Sequence, residues 1–214
     1  MTKTRKLEIL IATRNGGKIR EIQSTLSSLP LKLRLLEEFA DISPVDEVGQ
    51  TYAENASLKA IGYASQTGLW ALADDSGLEV AALGGRPGLF SARFGGDHLS
   101  DRERTDKLLA TLCNNSDRTA RFVCSMALAG CWPNEKPDER SEPRLLKLTE
   151  GICEGAIALV ARGKNGFGFD PMFIPTGYSE TFAELPDGIK SKISHRALAL
   201  AAMHTFLDRL SVQT

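Results

Sequence analysis

A short apolar run, Leu7 to Ala12, leads directly into Thr13-Arg14-Asn15-Gly16-Gly17-Lys18, and apolar residues then recur at Ile19, Ile22, Leu26 and Leu29. The first run has the length of a buried strand. The second, over 18–29, has the period of a helix with one buried face, and the glycines between them mark a tight turn. The pattern continues down the chain. Leu31, Leu33 and Leu35 alternate with Lys32 and Arg34, as in a half-buried strand. Thr51-Tyr52-Ala53-Glu54 reads as a capping box opening an Ala- and Leu-rich helix that runs to Gly68. Ser100-Asp101-Arg102-Glu103 reads as a second box, before a helix carrying Leu108, Leu109 and Leu112. Strands are expected over 121–129, 144–148 and 155–161, and a terminal helix over 194–210. The polar, proline-containing stretch Pro133 to Pro143 is the place for insertion or disorder. Interspersed strands and helices, with no repeat and no linker that would cut the chain, predict a single α/β domain over 1–214 with a mixed sheet.

Composition excludes several classes of function. A formal net charge of -1 gives no electrostatic support for a broad nucleic-acid or membrane-surface role. No apolar run approaches the length of a membrane span, and the basic start Met1 to Lys6 is followed by too short an apolar run for a signal peptide. Cys113, Cys124, Cys131 and Cys153 lack C-x-x-C spacing and lie among apolar residues. They are expected to be reduced, buried thiols, which with the absent signal peptide predicts a cytoplasmic protein.

Chemistry concentrates in five segments. In Leu72-Ala73-Asp74-Asp75-Ser76-Gly77 two carboxylates stand where an apolar run gives way to a turn-prone pair. Ligands in α/β proteins gather at the carboxyl ends of strands, and paired hard oxygens suit Mg²⁺. The plainer reading is a solvated turn. Thr13 to Lys18 presents backbone N–H groups and a helix N-terminus, an anion site to which Lys18 adds a point charge; the plainer reading is an ordinary helix start. It is not a Walker A loop, because Ile19 stands where a Ser or Thr would hold the metal. In the third segment, Asp46 to Lys59, Glu47 precedes a capped helix on which Asn55 and Lys59, four apart, share a face. A solvated helix face accounts for that segment equally well.

In the fourth segment, Arg162 to Pro171, Phe167 and Phe169 sit among glycines. Such rings either stack on a flat ligand or close the core. In the fifth, Lys190 to Arg196, Ser194 is placed as an N-cap with His195 and Arg196 in the first helical turn. Cations there oppose the helix dipole, a cost that a bound anion or carbonyl oxygen would offset; a basic surface patch is the alternative.

Taken in order, Thr13 to Lys18, Glu47 to Ala60, Ala73 to Gly77, Gly84 to Arg93, Gly166 to Pro171 and Lys190 to Arg196 resemble the inosine triphosphate pyrophosphatase family, hydrolases of non-canonical purine nucleoside triphosphates. The resemblance implies an elongated two-lobed α/β fold around a long mixed sheet with flanking helices. It also implies a nucleotide in the cleft between lobes, a homodimer and Mg²⁺ dependence. On it, Thr13, Arg14, Asn15, Gly16, Gly17 and Lys18 would hold the triphosphate. Glu47 and Asp75 would bind Mg²⁺, with Asp75 also accepting the proton of the attacking water. Ser76 would contact substrate, and Phe167, Gly168, Phe169 and Asp170 would line the base pocket. Lys190, His195 and Arg196 would reach phosphate or base. ITP, dITP and XTP would be cleaved to the monophosphate and pyrophosphate. Two features depart from the family pattern: Phe169 stands where relatives often carry Tyr or Trp, and the Pro133 to Pro143 loop is longer than the family minimum.

Two other classes of protein fit the sequence less well. A haloacid-dehalogenase-type phosphatase would need a D-x-D pair after its first strand, whereas these aspartates are adjacent and mid-chain. A non-catalytic nucleotide sensor would need the anion loop and base pocket, but not Asp75 together with Glu47.

Overall fold

The computed structural model describes residues 7–132 and 142–211. Among the described residues, six strands and five α-helices follow in the order β1 (Leu7–Ile11), α1 (Gly16–Leu26), β2 (Leu31–Leu35), α2 (Tyr52–Thr67), β3 (Trp70–Val80), α3 (Asp101–Thr111), β4 (Thr119–Gly130), β5 (Arg144–Ile157), β6 (Phe173–Pro175), α4 (Asp187–Ile193) and α5 (His195–Ser211). The strands form one sheet in the order β2-β1-β3-β4-β5-β6. β1 pairs in parallel with both β2 and β3, while β5 and β6 are antiparallel, so the sheet is mixed as the sequence predicts.

The chain divides into two compact units, each assembled from separated segments. The first comprises residues 1–75, 125–150 and 199–214; the second comprises 76–124 and 151–198. In the first, Ile9, Leu10 and Ile11 are wholly buried, which is why the chain after Glu8 reads as a continuous apolar run rather than an alternation. Its core is rich in small side chains: Ala56, Ala60 and Ala64, four apart on α2, cluster with Leu10, Ala71 and Ala127. Alanine stripes let a helix lie close to a sheet, and α2 supplies two of the polar groups described below. In the second unit the core is bulkier, with Leu78, Leu108, Phe122, Phe169, Phe173 and Phe182 among its members. Each such side chain contributes about 1.5–3 kcal/mol on burial.

Several boundaries differ from expectation for identifiable reasons. The first helix begins at Gly16, because Asn15 caps it, and ends at Leu26. Thr51 caps α2 by accepting from the Glu54 N–H, but the Glu54 carboxylate reaches back to the Gln50 N–H rather than to Thr51, so the box is only half formed. The box at Ser100 and Glu103 is complete. The apolar stretch expected as a separate strand over 155–161 is instead the end of β5, which continues unbroken from Arg144 to Ile157. Helix α4, ahead of Ser194, has no apolar period long enough to announce it. The expected buried thiols are two: Cys124 and Cys153 are buried, Cys131 is half-buried and Cys113 is exposed. Most of the Pro133 to Pro143 loop lies outside the described residues. Among those described, no helix is long and apolar enough to cross a membrane.

Candidate active site

Asp74 and Asp75 do not end a strand. They lie inside β3, which continues through Ser76 and Gly77 to Val80, so the expected turn is absent. Interior placement removes the solvated-turn reading, since both residues are buried. Successive residues of a strand face opposite ways, and these two carboxylates have different partners. The Lys18 ammonium lies 2.9 Å from Asp74 Oδ2. Asn55 Nδ2 donates to Asp75 Oδ2 at 3.1 Å, while Lys59 Nζ lies 3.8 Å from Asp75 Oδ1.

These contacts explain the spacing on α2. Asn55 and Lys59 are one turn apart, and both are buried rather than solvated. The Asn55 amide is oriented from its far side: the Gly49 N–H donates to Oδ1 at 2.8 Å, which leaves the NH₂ group to face the carboxylate. Gly49 is required for that approach, because a Cβ there would stand 2.7 Å from Asn55 Oδ1. Lys59 also donates to Glu47 Oε1 at 3.1 Å, so one ammonium is shared by Glu47 and Asp75. Burial raises the Asp75 carboxyl above the ordinary aspartate range. The Lys59 charge and the Asn55 hydrogen bond oppose that rise, and the nearby Glu47 charge adds to it. A desolvated carboxylate held by two donors is what a general base near neutral pH needs.

The Thr13 to Lys18 turn is more committed than a free anion loop. Asn15 Oδ1 accepts from the N–H groups of both Gly17 and Lys18, and the Asn15 N–H donates to Thr13 Oγ1. Two of the helix N–H groups expected for an anion are therefore already capped. Arg14, Asn15 and Gly16 are exposed, Thr13 and Lys18 are half-buried and Gly17 is buried. The cationic side chain, rather than the backbone, is the group of this turn directed at charge.

In the second unit the fourth and fifth segments meet. Lys190 Nζ donates to Asp170 Oδ2 at 2.7 Å, a pair with little exposed surface. The same oxygen accepts from the Phe167 N–H at 2.8 Å. Gly166 makes this possible: its φ is +77°, and a Cβ would stand 2.0 Å from Asp170 Oδ2. Lys190 Nζ lies 4.8 Å from the centre of the Phe167 ring and the Arg196 guanidinium carbon 5.5 Å from it. Arg196 also donates to Ser76 Oγ at 2.8 Å. Ser194 Oγ accepts from the Ala197 N–H, so the predicted cap holds and His195 and Arg196 open α5. His195 is stacked on Phe122, with ring centres 4.6 Å apart and planes within 9°.

The two aromatic residues of the glycine loop therefore part company. Phe169 is 4% exposed and belongs to the second unit's core, whereas Phe167 is only half-buried and carries the cations. Asn55, Lys59 and Asp74 stand in the segments singled out in the sequence, but only the structure gives them, and Gly49, contacts around Asp75 and Lys18. The i, i+4 spacing of Asn55 and Lys59 is the signal that links those two; nothing in the sequence marks Gly49.

Across all members, Thr13, Arg14, Asn15, Gly16, Gly17, Lys18, Glu47 and Asp75 fall in the first unit. Ser76, Phe167, Gly168, Phe169, Asp170, Lys190, His195 and Arg196 fall in the second. A Ham1 family model matches residues 9–206. A dITP/XTP pyrophosphatase of Syntrophobacter fumaroxidans is 46% identical over 202 residues, covering 94% of this chain and 82% of that protein. One from Coxiella burnetii is 43% identical over 203 residues, covering 94% and 96%. The solved structure of a HAM1 protein from Coxiella burnetii superposes with a TM-score of 0.81 at 43% identity, covering 95% of this chain and 99% of the other. The Staphylococcus aureus Ham1 protein superposes with a TM-score of 0.80 at 37% identity, covering 95% and 99%. With the family pattern running through almost all of the sequence and both units carrying its polar clusters, the chain belongs to the Ham1 family.

Proposed function

We propose that this protein hydrolyses non-canonical purine nucleoside triphosphates (ITP, dITP and XTP) to the nucleoside monophosphate and pyrophosphate. The observation that carries the reading is the desolvated Asp75 carboxylate, gripped by Asn55 and Lys59, with Glu47 on the same ammonium. The dITP/XTP pyrophosphatases that the chain resembles over most of its length support it further. We treat 1–214 as one catalytic domain, because both units are built of separated segments and no single cut would release either whole.

Asp75 accepts a proton from the water that attacks the α-phosphorus. The bond between that phosphorus and its bridging oxygen breaks, and pyrophosphate departs. Asn55 and Lys59 keep the carboxylate oriented and bias it toward the ionised form. Lys18 and Lys190 supply positive charge toward the triphosphate, in a reaction whose catalysis is largely electrostatic. Glu47 and Asp75 fit Mg²⁺: both are oxygen donors, they already share a cation, and Mg²⁺ needs only one or two carboxylates beside water and phosphate. When bound there, Mg²⁺ would neutralise charge developing on the phosphate oxygens.

Base choice rests on polarity. Hypoxanthine and xanthine offer a 6-oxo acceptor where adenine offers an amino donor, and the Arg196 guanidinium is a donor only. A site built around that bond leaves adenine mismatched. The four cysteines carry thiols, which suits a cytoplasmic setting. The family resemblance is the ground for a homodimer, which sedimentation velocity tests. The deciding assay is pyrophosphate release from a panel of nucleoside triphosphates with Mg²⁺. ITP, dITP and XTP should be cleaved well and ATP poorly, and release of diphosphate with free phosphate would overturn the assignment. Binding without turnover would favour a nucleotide sensor.

A further inference from the structure

Gly168 is held from outside its own loop. Its N–H donates to Asp101 Oδ2 at 2.7 Å, across 67 residues of sequence. Its carbonyl lies 3.4 Å from Thr105 Oγ1, but that hydroxyl has one proton and a nearer acceptor, the Asp101 carbonyl at 2.8 Å. The carboxylate is therefore the strong tether, a charge-assisted bond from the first residue of α3. Helix α3 does not need that carboxylate for its own cap. Ser100 and Glu103 already close a complete capping box, leaving the exposed Asp101 side chain to reach across to the loop.

The loop has reason to need such a tether. Phe167 stands between Gly166 and Gly168, both in the left-handed region with φ of +77° and +59°. Glycines there adopt many other conformations when nothing holds them. Asp170 holds the peptide entering Phe167, and Asp101 holds the peptide leaving it. We infer that Asp101 is a positioning residue for the purine end of the substrate. It fixes the Phe167–Gly168 turn so that the Phe167 ring, with Lys190 and Arg196 beside it, is presented to the base. The inference rests on the nucleotide reading above and adds to it a residue that would never touch substrate.

The test compares Asp101→Ala with Asp101→Asn, whose amide oxygen still accepts a hydrogen bond. With ITP, Asp101→Ala should raise KM about tenfold while kcat stays within about twofold, the pattern of lost positioning rather than lost chemistry. The inhibition constant for inorganic pyrophosphate, which lacks a base, should not change. Asp101→Asn should restore most of the KM. Amide hydrogen exchange at Gly168 should accelerate in Asp101→Ala and not in Asp101→Asn, a readout that needs no substrate. Unchanged Gly168 exchange, an unchanged KM, or pyrophosphate inhibition weakened in parallel with ITP would each overturn the proposal. If the unmodified protein releases no pyrophosphate from ITP, the nucleotide reading itself fails and the purine role falls with it. That outcome is distinct from an active enzyme whose Gly168 exchange ignores Asp101.

Discussion

Lys18 Nζ lies 2.9 Å from Asp74 Oδ2, a carboxylate whose side chain has no exposed surface. The pair ties the first turn of α1 to the middle of β3 and sets where that lysine can point. It also gives the two neighbouring aspartates different roles, since Asp74 positions a cation and Asp75 is the candidate base.

Asp75→Asn keeps shape and removes the proton acceptor, so kcat should fall by about 10²–10⁴, the usual share of general-base catalysis. Asp74→Asn should act differently. It leaves Lys18 without its buried counter-charge, so KM should rise more than kcat falls, and stability should drop by roughly 1–3 kcal/mol. Steady-state pyrophosphate release and thermal melts on both variants check this. Near-parental turnover in Asp75→Asn would remove it from the mechanism.

The raised Asp75 carboxyl predicts the acid side of the pH profile. Activity requires the ionised base, so at limiting Mg²⁺, where no metal charge offsets the burial, the acid limb of kcat/KM should lie above the ordinary aspartate range. Lys59→Met removes the charge that lowers this carboxyl and should move the limb further up. Stability runs the other way. The folded carboxyl holds its proton more tightly than the unfolded one, so its contribution is full below the unfolded value and is lost as pH rises through the raised folded value. At neutral pH Asp75→Asn should therefore melt no lower than the parent, although inactive. A limb at the ordinary value, or a marked loss of melting temperature, would contradict this account.

Base and phosphate recognition should fail separately. Arg196→Ala should lower the ratio of ITP to ATP efficiency by about 10–100-fold, because its donor matches only the 6-oxo base. Lys18→Ala should depress both substrates alike, since every triphosphate carries the same charge. Competition assays with the two nucleotides measure the ratio directly. If Lys18→Ala alters selectivity and Arg196→Ala does not, the placement of the nucleotide is reversed.

Gly166→Ala should be poorly tolerated. The new methyl would collide with Asp170 Oδ2 and sit at a positive φ, so either the turn or the Asp170–Lys190 pair must give way. A loss of roughly 1–3 kcal/mol is expected from the backbone strain alone. Gly188→Ala, where a Cβ meets nothing, is the control. Equal melting temperatures for the two variants would show that the Gly166 packing is dispensable.

Local signals were enough to determine much of this protein. The apolar run and helical period before and after Thr13 to Lys18, the cap at Ser194 and the box at Ser100 are short-range features, and each forms as its residues predict. The α/β class and mixed sheet follow from the interspersion of strand and helix patterns. Where β3 ends is not legible in the same way. Asp74-Asp75-Ser76-Gly77 has turn chemistry, yet β3 runs through it, because Lys18, Asn55 and Lys59 arrive from other elements to satisfy the carboxylates. Local preference for a turn is weak beside two partnered buried charges, and partners distant in sequence leave no local trace. Phe167 and Phe169 make the same point: they are the same residue type two positions apart, and packing alone sends one to the core and leaves the other beside Lys190 and Arg196. The amino-acid pattern was sufficient for β1, α1, α2, α3 and α5 and for the residue types able to do the chemistry, because their signals lie within a few residues of each other, but not for α4 or for the extent of β3 and β5. Which carboxylate meets which cation emerges on folding alone, because it depends on distances between segments and on burial, neither of which is encoded in any one stretch of chain.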